Sequence, residues 1–74
     1  MKTYFFPIII EQDNDGYTAS CPVLQGCYTQ GHTYEETMEN ILDAIQLHVE
    51  DRKAEHDEIP SSRTVSVSTV ALSI

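Results

Sequence analysis

Two periods of hydrophobic and polar positions divide this chain. Residues 2–11, Lys-Thr-Tyr-Phe-Phe-Pro-Ile-Ile-Ile-Glu, are rich in aromatic and β-branched types and run into the turn cluster Gln12-Asp13-Asn14-Asp15-Gly16. That pattern predicts a strand entering a hairpin. Pro7 cannot donate a ladder hydrogen bond, so the strand is at an edge or bulged there. Residues 17–21 alternate as Tyr-Thr-Ala-Ser-Cys, and after the connection from Pro22 to Gly26 residues 27–30 form a third short extended segment. Three strands joined by short links predict an antiparallel meander.

The period then changes. Gly31-His32-Thr33 hands over to a helix, with Thr33 as N-cap and Glu36 three residues on to complete a capping box. Met38, Ile41, Leu42, Ile45 and Val49 fall within one stripe at 3.6 residues per turn, predicted to cover one face of the sheet. Glu35 and Glu36 suit the positive end of the helix dipole, and Arg52 and Lys53 the negative end. Residues 57–62 break the pattern. Residues 63–72 alternate polar and apolar with high β propensity and predict a fourth strand. Their alternation slips after Thr69, where Val70 and Leu72 take the opposite parity from Val65 and Val67. Either a bulge lies there or another chain packs against that end. The expected fold class is α+β, in the order β-β-β-α-β.

Length bounds what such a fold can be. Seventy-four residues make a single domain over 1–74, and a core of that size rarely supplies more than about 3–5 kcal/mol unaided. Two cysteines and three histidines are too few for a disulfide framework or a zinc cage, so association is the expected supplement, most simply a dimer whose interface includes Val70 and Leu72. No apolar run approaches the roughly 20 residues of a membrane span or the core of a secretory signal. The chain reads as soluble and cytoplasmic.

Charge narrows the partner. Twelve acids against four Lys and Arg give −8, the wrong sign for direct nucleic-acid binding and the right one for a basic protein. Nine of the acids lie between Glu35 and Glu58. On a helical projection Glu36, Glu39, Asp43 and Glu50 share one side, away from the apolar stripe, and Leu47 lies among them. A charged face opposite a core stripe is usually only solvated, but an apolar residue ringed by carboxylates is how a contact for a basic partner is arranged. These five residues are the candidate partner-binding site.

Catalytic alternatives find less support. A metal-dependent nuclease needs carboxylates converging from strand interiors, whereas Glu11 ends the first strand and Asp13 and Asp15 lie in a turn. His32, His48 and His56 have no i, i+4 partner among themselves and no adjacent cysteine, and they read as surface or helix-end residues. Cys21 and Cys27 match neither redox nor zinc spacing and read as buried or half-buried free thiols. Cys27 would be a nucleophile only with an activating histidine and a lowered pKa. No enzyme activity, cofactor or metal is expected.

The stretch Gly16-Tyr17-Thr18-Ala19-Ser20-Cys21-Pro22-Val23-Leu24-Gln25-Gly26-Cys27-Tyr28-Thr29-Gln30-Gly31-His32-Thr33-Tyr34-Glu35-Glu36, followed by Asn40, Ala44 and Ile45, resembles the HicB-like antitoxin family. The resemblance implies a degenerate ribonuclease H-like domain and the antitoxin half of a type II toxin–antitoxin pair, its partner a small basic HicA-like mRNA-cleaving toxin. Thr37 and Asp43 stand where family members often carry Ala and Glu. The C-terminal DNA-binding domain of longer antitoxins is not expected here, nor is direct operator binding by this chain alone. The alternative is a stand-alone homo-oligomeric binding or structural domain without a toxin partner.

Overall fold

A computed structural model describes residues 3–60 and 68–74. Three strands, β1 (Ile9–Asp13), β2 (Gly16–Ser20) and β3 (Tyr28–Gly31), form an antiparallel sheet in the order β1-β2-β3, followed by one helix, α1 (Tyr34–Ala54). This is the predicted α+β meander with its covering helix. The sheet registers set Ile10 opposite Ala19 and Ala19 opposite Thr29. That row faces the helix.

The first strand is shorter than the sequence predicts. Residues 3–8 carry no strand, and β1 begins just after Pro7. Two causes coincide: Pro7 lacks an N–H, and β2 ends at Ser20 opposite Ile9 before the chain turns away at Cys21. The hairpin closes through Asn14 and Asp15, with the Asp13 carboxylate accepting the Asp15 N–H at 2.8 Å and Gly16 at φ +148°. Of the predicted fourth strand, residues 63–67 lie outside the described residues, and residues 68–74 carry no strand and are exposed. A strand exists only against a partner, and the described sheet supplies none to residues 68–74.

Between β2 and β3 the chain is held as a compact link. The Cys21 N–H donates to the Cys27 carbonyl at 2.9 Å, Leu24 N–H to Cys21 at 3.1 Å and Cys27 N–H to Leu24 at 3.1 Å. Leu24 is thereby turned into the core beside Ala19, Cys21, Cys27, Ile41 and Ile45. Phe6, Ile8, Ile10, Val23, Ala44 and Val49 pack around that cluster, partly buried.

Both ends of α1 are capped. The Thr33 side chain accepts the Glu36 N–H at 3.1 Å, as predicted. The Glu36 carboxylate, however, lies 3.7 Å from His32 Nδ1, an exposed i, i+4 contact, so the box is only half made. At the other end, His56 N–H donates to the Lys53 carbonyl at 3.1 Å and Asp57 N–H to that of Arg52 at 2.8 Å. With His56 at φ +59°, this is a Schellman closure built on a histidine instead of the usual glycine.

The helix rests on β3 and β2 and does not reach β1. Its buried line is Thr37, Ile41 and Ile45, with Ala44 and Val49 packed beside it. The stripe is therefore rotated from the one predicted: Met38 is 36% exposed and Leu42 56%. Thr37 can head this line because its hydroxyl spends its donor on the Thr33 carbonyl at 2.7 Å, which lets a polar residue be fully buried.

Gly31 is what admits the helix this close. A Cβ there would stand 2.5 Å from Thr37 Oγ1 and 2.9 Å from its backbone nitrogen. Gly31→Ala should therefore cost about 1–3 kcal/mol, the usual range for overpacking. Urea melts followed by circular dichroism measure it, and an unchanged midpoint would show that the helix tolerates displacement from β3.

Candidate partner-binding face

The outward side of α1 follows from what its inward side buries. With Ile41 and Ile45 fixed against the sheet, the 100° advance per residue turns Glu36, Glu39, Asp43 and Glu50 to solvent, and all four are exposed. Leu47 is 67% exposed and lies among them. The five predicted site residues thus share one surface about 21 Å long, at 1.5 Å rise per residue from Glu36 to Glu50. Val70 and Leu72 are not part of it; they lie in the exposed segment 68–74.

The surface has an apolar border, two of whose residues, Met38 and Leu42, the hydrophobic period assigns to the core. Tyr34, Met38 and Leu42 recur every four residues along one flank of α1 and are all exposed. Tyr34 meets Tyr17 of β2 edge-on, ring centroids 6.2 Å apart at 85°. The opposite flank is tied to the sheet, since Asn40 Nδ2 donates to the Gln30 carbonyl of β3 at 2.9 Å. The missed signal was Thr37: counting only apolar residues shifts the centre of the stripe toward Met38 and Leu42.

A second feature was not anticipated. Asp13, Asp15, Tyr17, His32 and Glu36 line an open cleft of about 450 Å³ between the β1–β2 turn and the start of α1. Its carboxylates do not converge, and among the described residues no three His, Cys, Asp or Glu side chains are placed to hold one metal ion. The turn reading of Asp13 stands on its bond to the Asp15 N–H.

Both thiols are free and buried. Burial pushes the Cys21 thiol above its ordinary range, against an opposing pull from the backbone N–H groups of Val23 and Leu24. Cys27 is raised first by burial and then by the charge Cys21 would carry when ionised. Neither has the exposure or the lowered pKa of a nucleophile.

The chain matches the family described as the HicB-like antitoxin of bacterial toxin–antitoxin systems over residues 6–71. It is 45% identical over 60 residues to a UPF0150 protein of Synechocystis, covering 80% of this chain and 76% of that one. A UPF0150 protein of Thermoplasma acidophilum is 36% identical over 67 residues, 89% of this chain and 97% of the relative. An uncharacterised 14.9 kDa protein of Haemophilus phage HP1 is 40% identical over 60 residues, which span 81% of this chain and 45% of the phage protein. No solved structure matches. Among the described residues no helix is long and apolar enough to cross a membrane.

The thiols generate a test of pH dependence. Because their folded pKa values are raised, the folded state holds these protons more tightly than the unfolded chain. Their contribution to stability is therefore full below the unfolded thiol pKa, about 8.5, and is lost as pH rises through the higher folded values. Urea midpoints should fall from neutral pH to above pH 9, and a Cys21→Ala/Cys27→Ala variant should lose less over the same interval. Ellman's reagent should label the native protein slowly and the urea-unfolded protein at once.

Proposed function

The chain belongs to the HicB-like antitoxin family of bacterial toxin–antitoxin systems, and from that premise we propose that it binds and neutralises a small, basic, RNA-cleaving toxin through the outward face of α1. The observation that carries the reading is the exposed row Glu36, Glu39, Asp43 and Glu50 with Leu47 among them. A toxin that grips RNA presents Lys and Arg near its active site, and carboxylates aligned on a capped helix complement that surface. Occupying those groups excludes RNA from them. On this reading the domain is a shrunken ribonuclease H-like scaffold working in the cytoplasm, used for recognition and not for cleavage, and it touches no nucleic acid itself.

A second reading, self-association, is supported by the exposure of Val70 and Leu72 at 84% and 82%. With Ile74 they make three exposed apolar side chains at alternate positions of one segment, and contiguous exposed apolar surface marks an interaction site. The two readings use different parts of the molecule and are compatible.

The toxin face should separate into two kinetic classes. Rim charges chiefly set association rate and its salt dependence, whereas an apolar anchor chiefly slows dissociation. Glu39→Lys/Asp43→Lys should slow association with the product of the adjacent gene and flatten its dependence on ionic strength. Leu47→Ala should mainly speed dissociation. Neither change touches the core, and exposed substitutions usually stay within about 0.5 kcal/mol in stability. If charge reversal leaves the association rate untouched, the toxin docks elsewhere.

Absence of catalysis is tested separately. Purified protein with Mg²⁺ or Mn²⁺ should leave labelled RNA intact. Cleavage abolished by Glu11→Gln or Asp15→Asn would make the domain an enzyme.

A further inference from the structure

Residues 64–74 carry no charged side chain and alternate in two registers: Val65 and Val67 at odd positions, then Val70, Leu72 and Ile74 at even ones. Successive side chains of a strand point to opposite faces, so one regular strand buries only one of these sets against a given sheet face. The two sets therefore suit two different surfaces. Val70, Leu72 and Ile74 are all exposed, so the second set is not buried on its own chain.

The same molecule carries a surface that fits them. Among the described residues β1 ends the strand order and is bonded on one side to β2. The other end of the sheet is engaged by Asn40, whose side chain holds the Gln30 carbonyl of β3. On the helix side of β1, Ile8 and Ile10 pack against the core but remain only half-buried, because α1 does not extend over this strand. Met38 and Leu42 are exposed on the helix flank about 160° around from Asn40, at 100° per residue, and so away from β3. Charge selects among strands that could add there. Glu11 and Asp13 on β1 disfavour an acidic segment, and residues 64–74 are neutral.

We propose that residues 68–74 of one copy add to the outer edge of β1 in a second copy, laying Val70, Leu72 and Ile74 over Ile8, Ile10, Met38 and Leu42. This rests on the self-association reading and is independent of the toxin reading. Main-chain hydrogen bonds supply the pairing and the even-numbered side chains supply the specificity, as in other strand additions. Mutual exchange makes the assembly a two-fold dimer.

Parity gives the test. Glu11 has the opposite parity to Ile10 and lies on the sheet face away from the helix, so across the new edge it should meet odd-numbered residues of the incoming strand. The full-length chain bearing Glu11→Cys is mixed with differently tagged full-length chains bearing Thr69→Cys, Ala71→Cys or Ser73→Cys and oxidised mildly. At least one odd position should give an interchain disulfide in high yield, and Val70→Cys or Leu72→Cys should give little. Light scattering should report a dimer for the unmodified protein and a monomer of unchanged circular dichroism for Val70→Asp/Leu72→Asp. A dimer that survives Val70→Asp/Leu72→Asp, or cross-linking without odd–even preference, overturns the strand exchange and leaves self-association standing. A monomer at every concentration overturns both.

Discussion

The structure depends on the distance at which the first turn of α1 meets β3. That distance is set by a stack of three residues. Gly16 lies against the Gly31 carbonyl, where a Cβ would come within 2.5 Å of the oxygen, and Gly31 in turn lies against Thr37. Thr37 completes the stack by returning its hydroxyl to the Thr33 carbonyl. Once the helix is seated there, Ile41 and Ile45 are committed to the core and the acidic side is committed to water. The orientation of the proposed toxin face is thus determined at the opposite side of the helix, by residues that lie outside that face.

Much of this was legible in the sequence because local rules agreed with one another. The turn cluster around Asp13 and Gly16, the link shaped by Pro22 and Gly26, and the N-cap at Thr33 each predict their element, and each stands where expected. What the pattern could not supply was the rotation of the helix. An apolar stripe can be drawn through Met38 and Leu42 as easily as through Ala44, and only the contact with Gly31 decides for Thr37. The length of β1 was likewise hidden, since Phe5 and Phe6 have strand propensity but β2 stops at Ser20, opposite Ile9.

The acidic face was legible for a different reason. Charge, unlike packing, is conserved under small rotations of a helix: Glu36, Glu39, Asp43 and Glu50 span a narrow arc, and a shift in the buried stripe leaves them outward. The neutrality of residues 64–74 is equally plain in the sequence. The molecule thus segregates its charge, with most carboxylates on or just beyond α1 and a neutral segment elsewhere, and the two proposed associations draw on different residues.

The closure at His56 bears on the thermodynamics of the proposed recognition. With the Arg52 and Lys53 carbonyls bonded and Thr33 holding the other end, the backbone of α1 is ordered from Glu36 to Glu50 before any partner arrives. Association then has no helix-forming entropy left to supply. What remains is the freezing of side-chain rotamers, about 0.5–1.5 kcal/mol for each long chain immobilised. A disordered acidic tail of the same charge would lose the conformational freedom of its whole backbone on binding. On the proposed toxin reading, a left-handed histidine at the far end of the helix thus sets part of the affinity of a face it does not belong to.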